Sequence, residues 1–93
     1  MIVGIVRCEC MLFSAHSLKE KRSVIQSILR KAVNGHNLSA SEVDFQDTWQ
    51  RTELAFACIG TSKTAVEREL ARALSLIDFK TEIERTNTIY EWF

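Results

Sequence analysis

The constraint that narrows this chain most is the order in which its hydrophobic period changes. Residues 2–13, "IVGIVRCECMLF", alternate: Val6, Cys8, Cys10 and Leu12 on one side, Ile5, Arg7, Glu9 and Met11 on the other. That is the pattern of a half-buried strand, and the more apolar set should face the core. Ser17 followed by Glu20 is a capping box, which starts a helix at Leu18. From there the period becomes helical. Leu18, Ile25, Ile28, Leu29 and Ala32 form an apolar stripe, with Lys19, Arg22, Ser23, Gln26 and Arg30 on a polar stripe beside it. Gly35 supplies the stop. Residues 37–46 and 51–60 return to strand periodicity and, joined by "DTWQ", predict a hairpin. A change of parity between Ala40 and Val43 predicts either a bulge in its first strand or a weak edge strand. A second helix is expected over residues 62–78, with Val66, Leu70, Ala73, Leu74 and Ile77 inward. The β-branched and aromatic "TEIERTNTIYEWF" reads as a last strand.

The resulting order, βαββαβ, predicts an α+β fold of the ferredoxin-like kind. Right-handed crossovers make it a four-stranded antiparallel sheet with both helices on one face. The chain has no proline, repeat or linker-like stretch, so residues 1–93 read as one domain. Apolar residues at 46% and charged residues at 26% are those of a folded, soluble chain. No apolar run nears the roughly 20 residues of a membrane helix, and no basic segment precedes "MIVGIV" to make it an export signal. Three cysteines are an odd number without a disulfide spacing, so a cytoplasmic, reducing compartment is expected.

In this fold the end of the first strand, the start of the first helix and the hairpin turn share one end of the sheet. His16, Lys19, Lys21 and Arg22 should therefore lie near Asp44, Gln46, Asp47, Trp49, Gln50 and Arg51. Bases in the first turn of a helix oppose its dipole, which favours acids there. Two readings resolve the conflict. A bound phosphate offsets the penalty, held by first-turn N–H groups and the bases; or Lys21 and Arg22 pair with Asp44 or Asp47 while Lys19 is solvated. The candidate interface for nucleic acid or a partner is His16, Lys19, Lys21, Arg22, Trp49, Gln50 and Arg51, extended along the helix by Arg30. Residues 1–37 hold six bases and two acids, a net of +4, and residues 38–93 six bases and ten acids, a net of −4. That asymmetry suits either an anionic partner or attraction between the halves. Trp49 can stack on a base, close the core or anchor a protein.

The opposite, open face of the sheet should present Ile5, Arg7, Glu9, Glu53, Ala55 and Ala57, with no aromatic platform of the RNA-recognition type. With Val3, Met11, Ile59 and Tyr90 or Trp92 it could instead bury against a second copy. Cys8 and Cys10 fall on the core face, so neither a metal nor another cofactor is expected. His16 with Asp44 or Asp47 could exchange protons. No nucleophile or Gly-rich phosphate loop accompanies them, so no enzyme is expected.

"HSLKEKRSVIQSIL" followed by "SASEVDFQDTWQRTELAFACI" resembles the YlxP-like family of small bacterial domains of unknown function, over essentially the whole chain. The motif pair HSLKxKRS and QDxWQRxEL carries the resemblance. It implies a ferredoxin-like fold, a bacterial cytoplasmic protein and, through gene neighbourhoods of transcription and translation factors, a connection with RNA or the ribosome. It implies no catalytic residues. The cysteines and Phe56, where an aliphatic residue is expected, depart from the pattern.

Overall fold

A computed structural model describes all 93 residues. The elements are β1 (Ile2–Met11), α1 (Leu18–Val33), β2 (Ser39–Asp44), β3 (Arg51–Gly60), α2 (Lys63–Asp78) and β4 (Glu84–Trp92). The four strands pair antiparallel in the order β2-β3-β1-β4. α2 packs over β1 and β3, and α1 lies beside it over β2. This is the ferredoxin-like arrangement the periodicity predicts.

The core forms between the helices and one face of the sheet. Val6, Cys8, Cys10 and Leu12 of the first strand segment and Leu54, Phe56 and Cys58 of β3 meet Ile25, Ile28 and Ala32 of α1 and Val66, Leu70, Ala73 and Ile77 of α2. At the start of α1 the Glu20 N–H donates to Ser17 Oγ at 3.1 Å, and the Glu20 carboxylate accepts the His16 N–H at 2.8 Å. An acid thus occupies the positive end of the helix dipole, as the dipole favours. Ser17→Ala should cost about 1 kcal/mol of unfolding free energy in a denaturant titration. At the other end Gly35 adopts φ +72°, the left-handed conformation of a helix stop.

Two features differ from expectation. β2 is shorter than residues 37–46, and the turn runs over 45–50 rather than 47–50. The register of β2 on β3 shifts between Glu42 and Asp44, which is the bulge the parity change predicts. Phe45 then takes φ +61°, and its carbonyl accepts the Thr48 N–H and the Lys21 ammonium instead of continuing the ladder. The second difference concerns β4. Tyr90 and Trp92 pair with Val6 and Gly4 and so lie on the helix side, while Ile89, opposite Arg7, faces the open side.

The candidate binding edge

Lys21 lies three residues after Leu18 and four before Ile25, on the buried stripe of α1 rather than its polar one. It is 0% exposed. Its stem crosses apolar space and its ammonium reaches the hairpin turn. There Nζ lies 2.9 Å from Glu42 Oε2, 2.5 Å from the Phe45 carbonyl oxygen, 2.6 Å from that of Thr48 and 3.4 Å from that of Gln46. The buried Thr52 hydroxyl donates to the same Glu42 oxygen at 2.5 Å. All three ammonium donors have partners, and no buried side-chain nitrogen or oxygen in the chain lacks one. Lys21 is therefore withdrawn from the candidate interface: it has no surface to offer a phosphate. Its acid partner is Glu42, not Asp44 or Asp47.

The turn is fixed from other directions too. Asp44 Oδ1 accepts the Phe45 N–H at 2.8 Å, and the Arg51 guanidinium sits 3.9 Å from the centroid of the Phe45 ring. Gln50 donates from Nε2 to the carbonyls of Phe13 (3.1 Å) and Ala15 (3.3 Å), and its own carbonyl accepts the Leu12 N–H at 3.0 Å. Arg51 turns to the open face and pairs with Glu9 at 2.9 Å. Lys21, Gln50 and Arg51 thus hold the edge together. The two motifs "HSLKEKR" and "QDTWQR" are joined by these contacts.

The remaining candidates are exposed. His16, Lys19, Arg22, Arg30 and Trp49 project into solvent, and Lys19, Arg22 and Arg30 form no ion pair. The expected pairing of Arg22 with Asp44 or Asp47 is absent. Arg30 lies roughly 16 Å along the helix from Lys19, at 1.5 Å per residue. Trp49 is 52% exposed, so it does not close the core. Phe13, 64% exposed, is an edge residue that the sequence reading leaves out. The available signal is its parity: it follows Arg7, Glu9 and Met11, not the core set.

The open face mixes charged and apolar side chains, with Glu91 directly opposite Ile5 and with Ala55 and Ile89 opposite Arg7. Arg7 bridges Glu53 on the hairpin side (3.4 Å) and Glu91 on the other (3.0 Å), and Arg51 pairs with Glu9. Beyond Arg7 the central strands are small and apolar, with Val3, Ile5, Ala57 and Ile59 in register and Glu91 at their β4 edge. The cysteines lie inside as free thiols. Cys10 Sγ lies 4.0 Å from Cys8 Sγ and donates to it. That bond and burial push the Cys10 thiol well above its ordinary range, and burial raises Cys58 as well. Raised thiols are protonated and unreactive at neutral pH. An alkylating reagent at pH 7.5 should label Cys10 and Cys58 only after denaturant unfolds the chain. No group of three or more His, Cys, Asp or Glu side chains is arranged to hold a metal ion. No helix is long and apolar enough to cross a membrane.

Comparison with solved structures supports the fold. A crystal structure of a dimeric ferredoxin-like protein from an uncultured marine organism superposes with a TM-score of 0.56 at 8% identity, over 100% of this chain and 96% of that one. The de novo designed protein Foldit4 superposes with a TM-score of 0.53 at 12% identity, over 100% and 97%. Among sequences, the uncharacterized protein YlxP of Bacillus subtilis (strain 168) is 48% identical over 92 residues, 99% of this chain and all of that protein. Residues 3–89 match the family described as protein of unknown function, DUF503. With 99% of its length aligned to one relative and all but its ends to the family, the chain belongs to the DUF503, or YlxP-like, family.

Proposed function

We propose that this chain is a non-catalytic binding protein whose α1 face contacts the phosphate backbone of RNA, with ribosomal RNA the first to test. The distribution of unpaired cations carries the reading. Lys21, Arg7, Arg51, Arg72 and Arg85 each hold an acid within 3.4 Å. Lys19, Arg22, Arg30 and Lys31, all exposed on α1, hold none, and the one acid of that helix, Glu20, caps its start. Lys63, Arg68 and Lys80 form no ion pair either, so α1 holds four of the seven unpaired cations of a neutral chain, the densest free positive charge on any element and the footprint we assign to a polyanion. The gene setting that the resemblance implies points the same way.

Co-sedimentation with ribosomal subunits across a salt series tests it. Binding should weaken as salt rises, and Lys19→Ala/Arg22→Ala should lower the log–log salt slope by about two. Equal affinity and slope in that variant would remove α1 as the phosphate-reading face.

The apolar part of the open face favours a second reading, self-association through the sheet. A similar ferredoxin-like protein is described as dimeric. Light scattering should then give a dimer for the native chain and a monomer for Ile5→Glu, whose carboxylate would be buried in the contact. A monomeric native chain ends this reading.

A further inference from the structure

Phe13 and Trp49 are large aromatic side chains held in solvent at the same end of the sheet. The Leu12–Gln50 backbone bond continues the β1–β3 ladder past its Met11–Arg51 pair, and Phe13 and Trp49 are the next residues outward on the two strands. We propose that they form a stacking platform for unpaired nucleobases, so that the RNA bound by α1 is read as a single strand or loop rather than as a duplex. This deepens the RNA reading above and rests on it.

Three observations converge. Leu12 and Ala15, both buried, already close the core beneath this end, so the exposed rings are not needed there. The backbone behind each ring is pinned: Gln50 holds the Phe13 carbonyl, and Lys21 holds the Thr48 carbonyl next to Trp49. A pinned backbone matters because less of the segment has to be ordered when a partner stacks on the ring. Finally, the segment from Phe13 leads directly into the start of α1, where Lys19 and Arg22 are unpaired. Aromatic faces beside free cations are the combination by which proteins hold single strands: bases stack while phosphates follow the charge.

The stacked pair on β4 does not offer this, since Trp92 is partly buried against the core. Tyr90 and Trp92 have parallel rings, with centroids 6.4 Å apart, but Lys63 lies 4.9 Å over the Trp92 ring and covers it.

The test uses the full chain and a labelled uridine-only oligoribonucleotide, beside an RNA duplex of equal length. Phe13→Ala and Trp49→Ala should each weaken the single strand about tenfold or more, the loss expected for one stacked base. The salt slope should not change, because no phosphate contact is lost. In Trp92→Phe, which leaves Trp49 as the one tryptophan, the single strand should quench emission and the duplex should not. Unchanged affinity in both alanine variants, with the Lys19/Arg22 slope intact, overturns the platform and leaves the phosphate reading standing. Failure of the native chain to bind either RNA removes both. A Trp49 emission change with ribosomal proteins and none with RNA assigns the rings to a protein contact and overturns base stacking.

Discussion

Lys21→Met is expected to lower the unfolding free energy by about 3–5 kcal/mol, the range for removing one partner of a buried ion pair. Methionine can fill the space of the lysine stem, so little of the loss comes from a cavity. The loss arises at the turn. Glu42 would keep only the Thr52 hydroxyl, the Phe45 carbonyl only the Thr48 N–H, and the Thr48 carbonyl would face the helix with its ammonium donor gone. At roughly 4–8 °C per kcal/mol for a domain of this size, the melting temperature should fall by 12 °C or more, by the ~3 kcal/mol lower bound. Lys19→Met is the matched control: it sits two residues away, is exposed, and should change stability by less than about 0.5 kcal/mol. Glu42→Leu added to Lys21→Met should restore part of the loss, because the orphaned carboxylate goes with it. A Lys21→Met chain as stable as the native one would mean that water satisfies the turn and that the buried ammonium does not hold it.

The same residue shows where the sequence is legible and where it is not. Strand alternation, the capping box and the glycine stop act over a few residues, and all three mark real boundaries in β1 and α1. The bulge near Val43 is legible for the same reason, since parity is a local property. Lys21 is harder to place. Its charge argues for the polar stripe and its spacing from Leu18 and Ile25 for the buried one. Spacing prevails because the turn carbonyls supply the partners that burial of an ammonium demands. Those partners come from residues 24–27 positions away, through a turn whose shape depends on Phe45 adopting a left-handed backbone. Nothing local announces that. The free cations of α1 were legible as a stripe, but their freedom was not: Asp44 and Asp47 were the nearest acids in prospect, and neither forms a pair with them.

Gly4→Ala should destabilise the chain by about 1–3 kcal/mol, the range for overpacking a core. The reason is again a long-range contact. Gly4 shares the core-facing parity of Val6, and β4 brings Trp92 directly opposite it. A Cβ at this position would lie 2.6 Å from Trp92 Cζ3, 2.7 Å from Val66 Cγ1 and 3.0 Å from Leu70 Cδ1. None of the three can give way easily. Val66 and Leu70 of α2 are fully buried in the core, and the Trp92 ring is held between the glycine and Lys63. Glycine to alanine in an extended strand ordinarily gains about 0.4–1 kcal/mol through the unfolded chain, so a net loss would come from the collision alone. Gly60→Ala isolates that point. It meets only Val66 Cγ2, at 3.1 Å, and should be close to neutral in the same denaturant titration. Trp92→Ala should reduce the loss from Gly4→Ala without abolishing it, since Val66 remains in place; coupling near zero would show that the tryptophan is not what excludes a side chain from position 4.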